Sequence, residues 1–167
     1  MTYSSRFALI CVLIGRSVGT GNLWRFPRLV ACPTESLSGG DTELTIAKCG
    51  YQELRDRGIP VIDLKQKENA RCTVAIENGV VFDKINTWEL VRDADAIITL
   101  PVMKTHGQTE VTLGMKNLKG LLIDTQKKDF HKRGLIEGVV DWCLHLKPCL
   151  EILSVPIFFN CHTEVFP

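Results

Sequence analysis

The chain has 167 residues, 45% of them hydrophobic and 23% charged, with a formal net charge of +1. That balance suits one globular domain and gives no overall basic character for nucleic acid to recognise. Seven cysteines, at positions 11, 32, 49, 72, 143, 149 and 161, form an odd, scattered set with no C-x-x-C. A disulfide framework, a zinc ribbon and a ferredoxin-type cluster all lack their usual spacing, and a reducing cytoplasm is the expected compartment.

Taken in chain order, the first feature is Phe7–Gly15, FALICVLIG, an apolar run bounded by Arg6 and Arg16. It is far shorter than the roughly twenty residues a spanning helix needs. Arg16, Arg25 and Arg28 follow it and no Ala-x-Ala site appears, which argues against a signal peptide. Ser38-Gly39-Gly40-Asp41 reads as a turn ending in an N-cap. Leu44, Ala47, Tyr51 and Leu54 then give one apolar helical face until Gly58 stops it, and Ile59–Leu64 reads as a strand. Asn78-Gly79 between β-prone runs predicts a hairpin with strands 71–76 and 79–85. A short helical turn is expected over Thr87–Arg92, a buried strand over Asp95–Leu100, a helix over Gly134–Leu146 and a last strand over Leu150–Leu153. The final VPIFFNCHTEVFP has no clear period.

The Asp95–Leu100 strand runs into a loop that holds Lys104, His106, Lys116, Asn117 and Lys119. Residues at the carboxyl end of a strand in an α/β sheet project into the crevice where such folds bind ligands. From Lys104 to Arg133, seven Lys/Arg face three acidic residues, a local net charge of +4 in a nearly neutral chain. That field favours an anionic partner, a carboxylate or a phosphate. Phe130 is the one aromatic residue in this basic stretch and no helix-turn-helix, zinc-finger or RNA-binding signature is present, so nucleic acid is not expected as a partner.

Two resemblances cover parts of the chain. Gly15–Val30, GRSVGTGNLWRFPRLV, with the core Val18–Pro27, resembles the first transmembrane helix of the sodium-coupled neurotransmitter symporter family. There a glycine-rich break lets backbone carbonyls and helix ends hold sodium and substrate. The resemblance implies a sodium and substrate role for Gly19, Gly21 and Asn22, a gating role for Arg25, and membrane association through this segment alone. Arg16 and Arg28 depart from that family's pattern. Further on, SGGDTEL, CGYQELRDRGIPVIDL, DADAIITLPVMKTHGQTEVTLGMKNLKG, FHKRGLIEGVVD and LKPCLEI follow one another over Ser38–Leu153 and together resemble the uncharacterised family DUF362. Some members of that family are joined to ferredoxin-like iron–sulfur segments, which implies redox chemistry and a ferredoxin-like partner; this chain carries no iron–sulfur ligand motif of its own.

The order His106, Lys116, His131 is also similar to that of the nickel-pincer lactate racemase group. This likeness implies His106 and His131 as base or metal ligand, Lys116 as cofactor anchor, Lys104 and Lys119 as anion holders, and Asn117 as an orienting group. The metal and the cofactor stay unassigned.

The expected fold is α/β, a partial mixed or parallel sheet with flanking helices plus an N-terminal hydrophobic helical segment. It divides into a symporter-like segment at 1–32, a partial DUF362-like domain at 33–155 and a tail at 156–167. The expected function is binding of an anionic small molecule or cofactor through Lys104–His131, in redox or isomerase chemistry, with His106, Lys116 and His131 catalytic and Lys104, Asn117 and Lys119 ligand-binding. A membrane symporter fragment and a non-functional fusion of two gene fragments are the alternatives.

Overall fold

A computed structural model of the chain describes residues 9–15, 28–34 and 41–153. Within them a four-stranded sheet has the order β2-β1-β5-β8, built from β1 (Leu9–Gly15), β2 (Arg28–Thr34), β5 (Ala96–Leu100) and β8 (Leu150–Glu151). β1 runs antiparallel to both β2 and β5, whereas β8 lies parallel to β5, so the sheet is mixed. The expected α/β class with flanking helices is what these residues form.

The expected N-terminal helical segment lies largely outside the described residues. The described residues there form β1 and β2. LICVLIG is a short, nearly continuous aliphatic run of strand length, and in the sheet both of its edges are hydrogen-bonded, one to β2 and one to β5. Gly19, Gly21, Asn22 and Arg25 lie outside the described residues. Among the described residues no helix is long and apolar enough to cross a membrane.

The expected helix after Asp41 is two helices, α1 (Thr42–Lys48) and α2 (Gln52–Asp56). Asp41 caps the first, its carboxylate accepting the Leu44 N–H at 2.9 Å. Gly50, at φ +77°, breaks the continuity, because that left-handed backbone ends a helix. The segment expected as the strand Ile59–Leu64 makes only an isolated parallel bridge from Val61 to Ala31. Val61 and Ala31 join Ile46 in a small buried cluster.

The Asn78-Gly79 hairpin forms as β3 (Arg71–Ala75) and β4 (Lys84–Trp88), antiparallel, with Val74 opposite Ile85. Its second strand starts later than the pattern suggests. Residues 80–82 are claimed instead by Asp141, whose carboxylate accepts the N–H groups of Val80, Val81 and Phe82 at 2.9, 2.8 and 3.2 Å. The helical turn α3 (Glu89–Arg92) follows β4 directly.

After β5 come a second hairpin, β6 (Lys104–His106) and β7 (Glu110–Thr112), then α4 (Gly114–Leu118), a single 3₁₀ turn over Lys119–Leu121 and α5 (Asp124–Arg133). Gly134, at φ +146°, lets the chain swing directly from α5 into α6 (Leu135–Leu146). The main core packs α4, α5 and α6 against β3 and β4 through Trp142, Phe130, Phe82, Ile85, Leu118 and Leu121, all nearly inaccessible to solvent. Phe82 and Phe130 stack with ring centres 4.5 Å apart. The Trp142 indole donates to the Leu118 carbonyl at 2.9 Å, tying α6 to α4.

Candidate functional site

β5 is central in its sheet and its carboxyl end leads through Pro101–Met103 into β6, which carries Lys104 and His106. Because β6 and β7 pair with His106 opposite Glu110, the intervening turn folds back over the His106 ring. The backbone N–H groups of Gln108 and Thr109 donate to His106 Nδ1 at 3.2 and 3.3 Å. A neutral imidazole that accepts at Nδ1 carries its proton on Nε2, so His106 presents an N–H donor.

α4 and the 3₁₀ turn supply the lysines. Lys116 and Lys119 are both buried, at 7% and 2% exposure, and Lys104 is half-buried. None of the three forms an ion pair with a carboxylate among the described residues. Lys127 differs: equally buried, it has Asp124 Oδ1 at 3.4 Å. Burying an unpaired ammonium is costly, and the ordinary response is a loss of proton affinity. Accordingly burial pushes Lys104 down, and burial together with the Lys104 charge pushes Lys116 down. Lys119 falls furthest, to about 7, through burial and then the charges of Lys116 and Lys127.

The Lys119 amine lies 2.6 Å from His131 Nε2 on α5, and His131 Nδ1 lies 2.6 Å from Gln108 Oε1 in the β6–β7 turn. When Lys119 is charged it donates to Nε2, leaving Nδ1–H to donate to the glutamine. Burial lowers the proton affinity of both histidines. The charges of Lys116 and Lys119 lower it further for each, and Lys104 and His131 add to the effect on His106. His106, His131, Lys104, Lys116 and Lys119 therefore share one electropositive locus. The expected basic cluster is assembled from β6, α4, the 3₁₀ turn and α5.

Asn117 is placed differently. It is fully buried and its Nδ2 donates to Thr99 Oγ1 of β5 at 2.7 Å, fixing α4 to the sheet. Its Oδ1 has no partner among the described residues. Three contributors were not singled out from sequence: Gln108, Thr99 and Glu151. Gln108 sits between two histidines only because of the β6–β7 turn. Glu151 reaches the start of α4 only because β8 pairs with β5, where its Oε1 accepts the Gly114 N–H at 2.9 Å.

Beside the cluster lies a cavity of about 540 Å³, bordered by the β6–β7 turn, α4, α6 and Glu151, with Lys116 and Gln108 in its wall. Among the described residues no three His, Cys, Asp or Glu side chains gather as metal ligands would.

A family model described as a domain of unknown function, DUF362, matches residues 22–160. The chain belongs to the DUF362 family. The match takes in β2, the basic cluster and all the elements that position it, so the cluster lies inside the DUF362 domain. No curated protein and no solved structure matches the chain.

Proposed function

We propose that this DUF362 domain binds an anionic small molecule or cofactor at the Lys104–His131 cluster. One observation carries the reading: Lys104, Lys116 and Lys119 are half- to fully buried with no carboxylate to compensate them among the described residues. Three such cations cost stability until an anion supplies the missing charge, so the arrangement is suited to a ligand more than to structure. The same argument disfavours a cation. A metal ion would enter a positive site whose His131 nitrogens already have partners in Lys119 and Gln108.

Of the redox and isomerase chemistries implied by family resemblance, the residues themselves favour proton transfer. In this proposal the Lys119–His131 pair is the acid–base unit, since a lysine near pKa 7 exchanges its proton readily at neutral pH. His106 Nε2–H donates a hydrogen bond to the bound anion, while Lys104 and Lys116 hold its charge. Asn117 acts through α4 as a positioning residue. Free thiols at Cys72, Cys143 and Cys149 fit a reducing cytoplasm as the setting.

Calorimetric titration with inorganic sulfate, an anion whose charge does not change across neutral pH, tests the binding step. Saturable binding that tightens below pH 7, as Lys119 takes up its proton, and weakens at least tenfold in Lys116→Met is the expected result. Binding indifferent to pH and to Lys116→Met would overturn the reading.

A further inference from the structure

The cavity beside the cluster tells more about the ligand than the lysines do. Leu113, Met115, Ile136 and Val140 give its wall an apolar part, and three of these are left open to solvent: Ile136 at 56% exposure, Met115 at 49% and Val140 at 37%. Ile136 and Val140 are one helical turn apart on α6, so a single apolar stripe faces the space. About 540 Å³ is the size of a small-molecule pocket and far more than one inorganic anion fills.

The polar groups in this wall are unequal. Lys116 has no carboxylate within ion-pair distance among the described residues. Glu151 is already engaged, accepting the Gly114 N–H at 2.9 Å. Gln108 extends from the wall to His131 at 2.6 Å and so joins the cavity to the proton-transfer pair. Glu110 and Glu151 line the same wall as the one lysine, a formal charge of −1 among the lining side chains, so Lys116 is the single cationic anchor the cavity offers. A singly charged head fits it better than a doubly charged phosphate ester.

We infer that the ligand is an amphiphilic monocarboxylate, its head at Lys116 and Gln108 and its aliphatic body in the cavity between α4 and α6. The inference rests on the anion-binding reading above and adds the body that the anion carries. Burial of each methylene against Ile136, Met115 and Val140 multiplies affinity about fourfold until the cavity is full.

The test is calorimetric titration of the full chain at pH 7.5 with acetate, butyrate, hexanoate and octanoate, beside inorganic phosphate as an anion without a body. Affinity is expected to climb about fourfold per methylene at a stoichiometry of one. Val140→Asn and Ile136→Gln, neutral polar substitutions at partly exposed positions, should weaken octanoate at least tenfold and change phosphate far less. Lys116→Met should weaken both. Phosphate binding without any dependence on carboxylate chain length would overturn the inference and leave the anion-binding reading standing. Chain-length dependence unaffected by Lys116→Met would overturn the placement of the head. Failure of every anion to bind would bring down both readings together.

Discussion

Lys119 and His131 face each other at 2.6 Å with no acid between them, and this sets a pH dependence whose sign can be worked out. The folded protein holds the Lys119 amine at a pKa of about 7, whereas an unfolded lysine titrates near 10.4. Below pH 7 both states are protonated and the cost of burying the charge is fully felt. Between pH 7 and about 10.4 the unfolded chain binds the additional proton, so the Lys119 contribution makes stability rise with pH through that window. In Lys119→Met this rise should vanish, leaving a flatter profile and a protein more stable than the parent near pH 6; denaturant unfolding at pH 6, 8 and 9.5 measures it. A parent profile that falls across this window would contradict the assignment. The cationic residues of this locus were legible in the sequence because they fall within a short stretch that begins at the end of a recognisable strand. Gln108 and Glu151 were not legible, since their positions depend on a hairpin turn and on a strand pairing that spacing does not disclose.

Individual elements succeed or fail by what their ends touch. The loop of the β3–β4 hairpin is fixed by one carboxylate on α6, that of Asp141, which satisfies three backbone N–H groups. Asp141→Ala should cost about 3 kcal/mol, since it strands several donors at once, and guanidinium titration followed by Trp142 fluorescence would measure the loss. Between α4 and β8 the obstacle to an added atom is the carboxylate end of a flexible, exposed side chain: a Cβ at Gly114 would lie 1.8 Å from Glu151 Oε2. Gly114→Ala must therefore displace the glutamate and break its hydrogen bond, a loss of about 1–2 kcal/mol with early hydrogen exchange at the Ile152 amide, which otherwise donates to Thr99. Gly138→Ala meets a stiffer obstacle in the Phe82 ring at 2.7 Å, and overpacking there should cost about 1–3 kcal/mol. Turn chemistry at Asn78-Gly79, the cap at Asp41 and the apolar face of α6 were all readable in advance. Where reading failed, a partner distant in sequence had intervened: Asp141 took residues 80–82 from the expected strand. Pairing with β2 and β5 gives LICVLIG its strand.

Among the described residues the main core joins the hairpin β3–β4 to three helices, and the mixed sheet reaches it through buried Ile97 of β5 and Cys32 of β2. Phe130 is fully buried within it, and Phe130→Ala should cost about 3–5 kcal/mol in chemical denaturation. Any anion that binds only the folded form should raise the melting temperature with its concentration, and Lys116→Met should abolish most of that rise. The mixed α/β class could be read from the alternation of helix and strand patterns. The sheet order could not, because β5 takes one neighbour from the start of the chain and the other from near residue 150. The grip of Asp141 on Val80–Phe82 spans about sixty residues in the same way. During synthesis the hairpin loop therefore emerges from the ribosome well before the carboxylate that fastens it. Until α6 follows, those amides are open to water and to chaperones, so the last third of the chain closes a structure that the middle third can only begin.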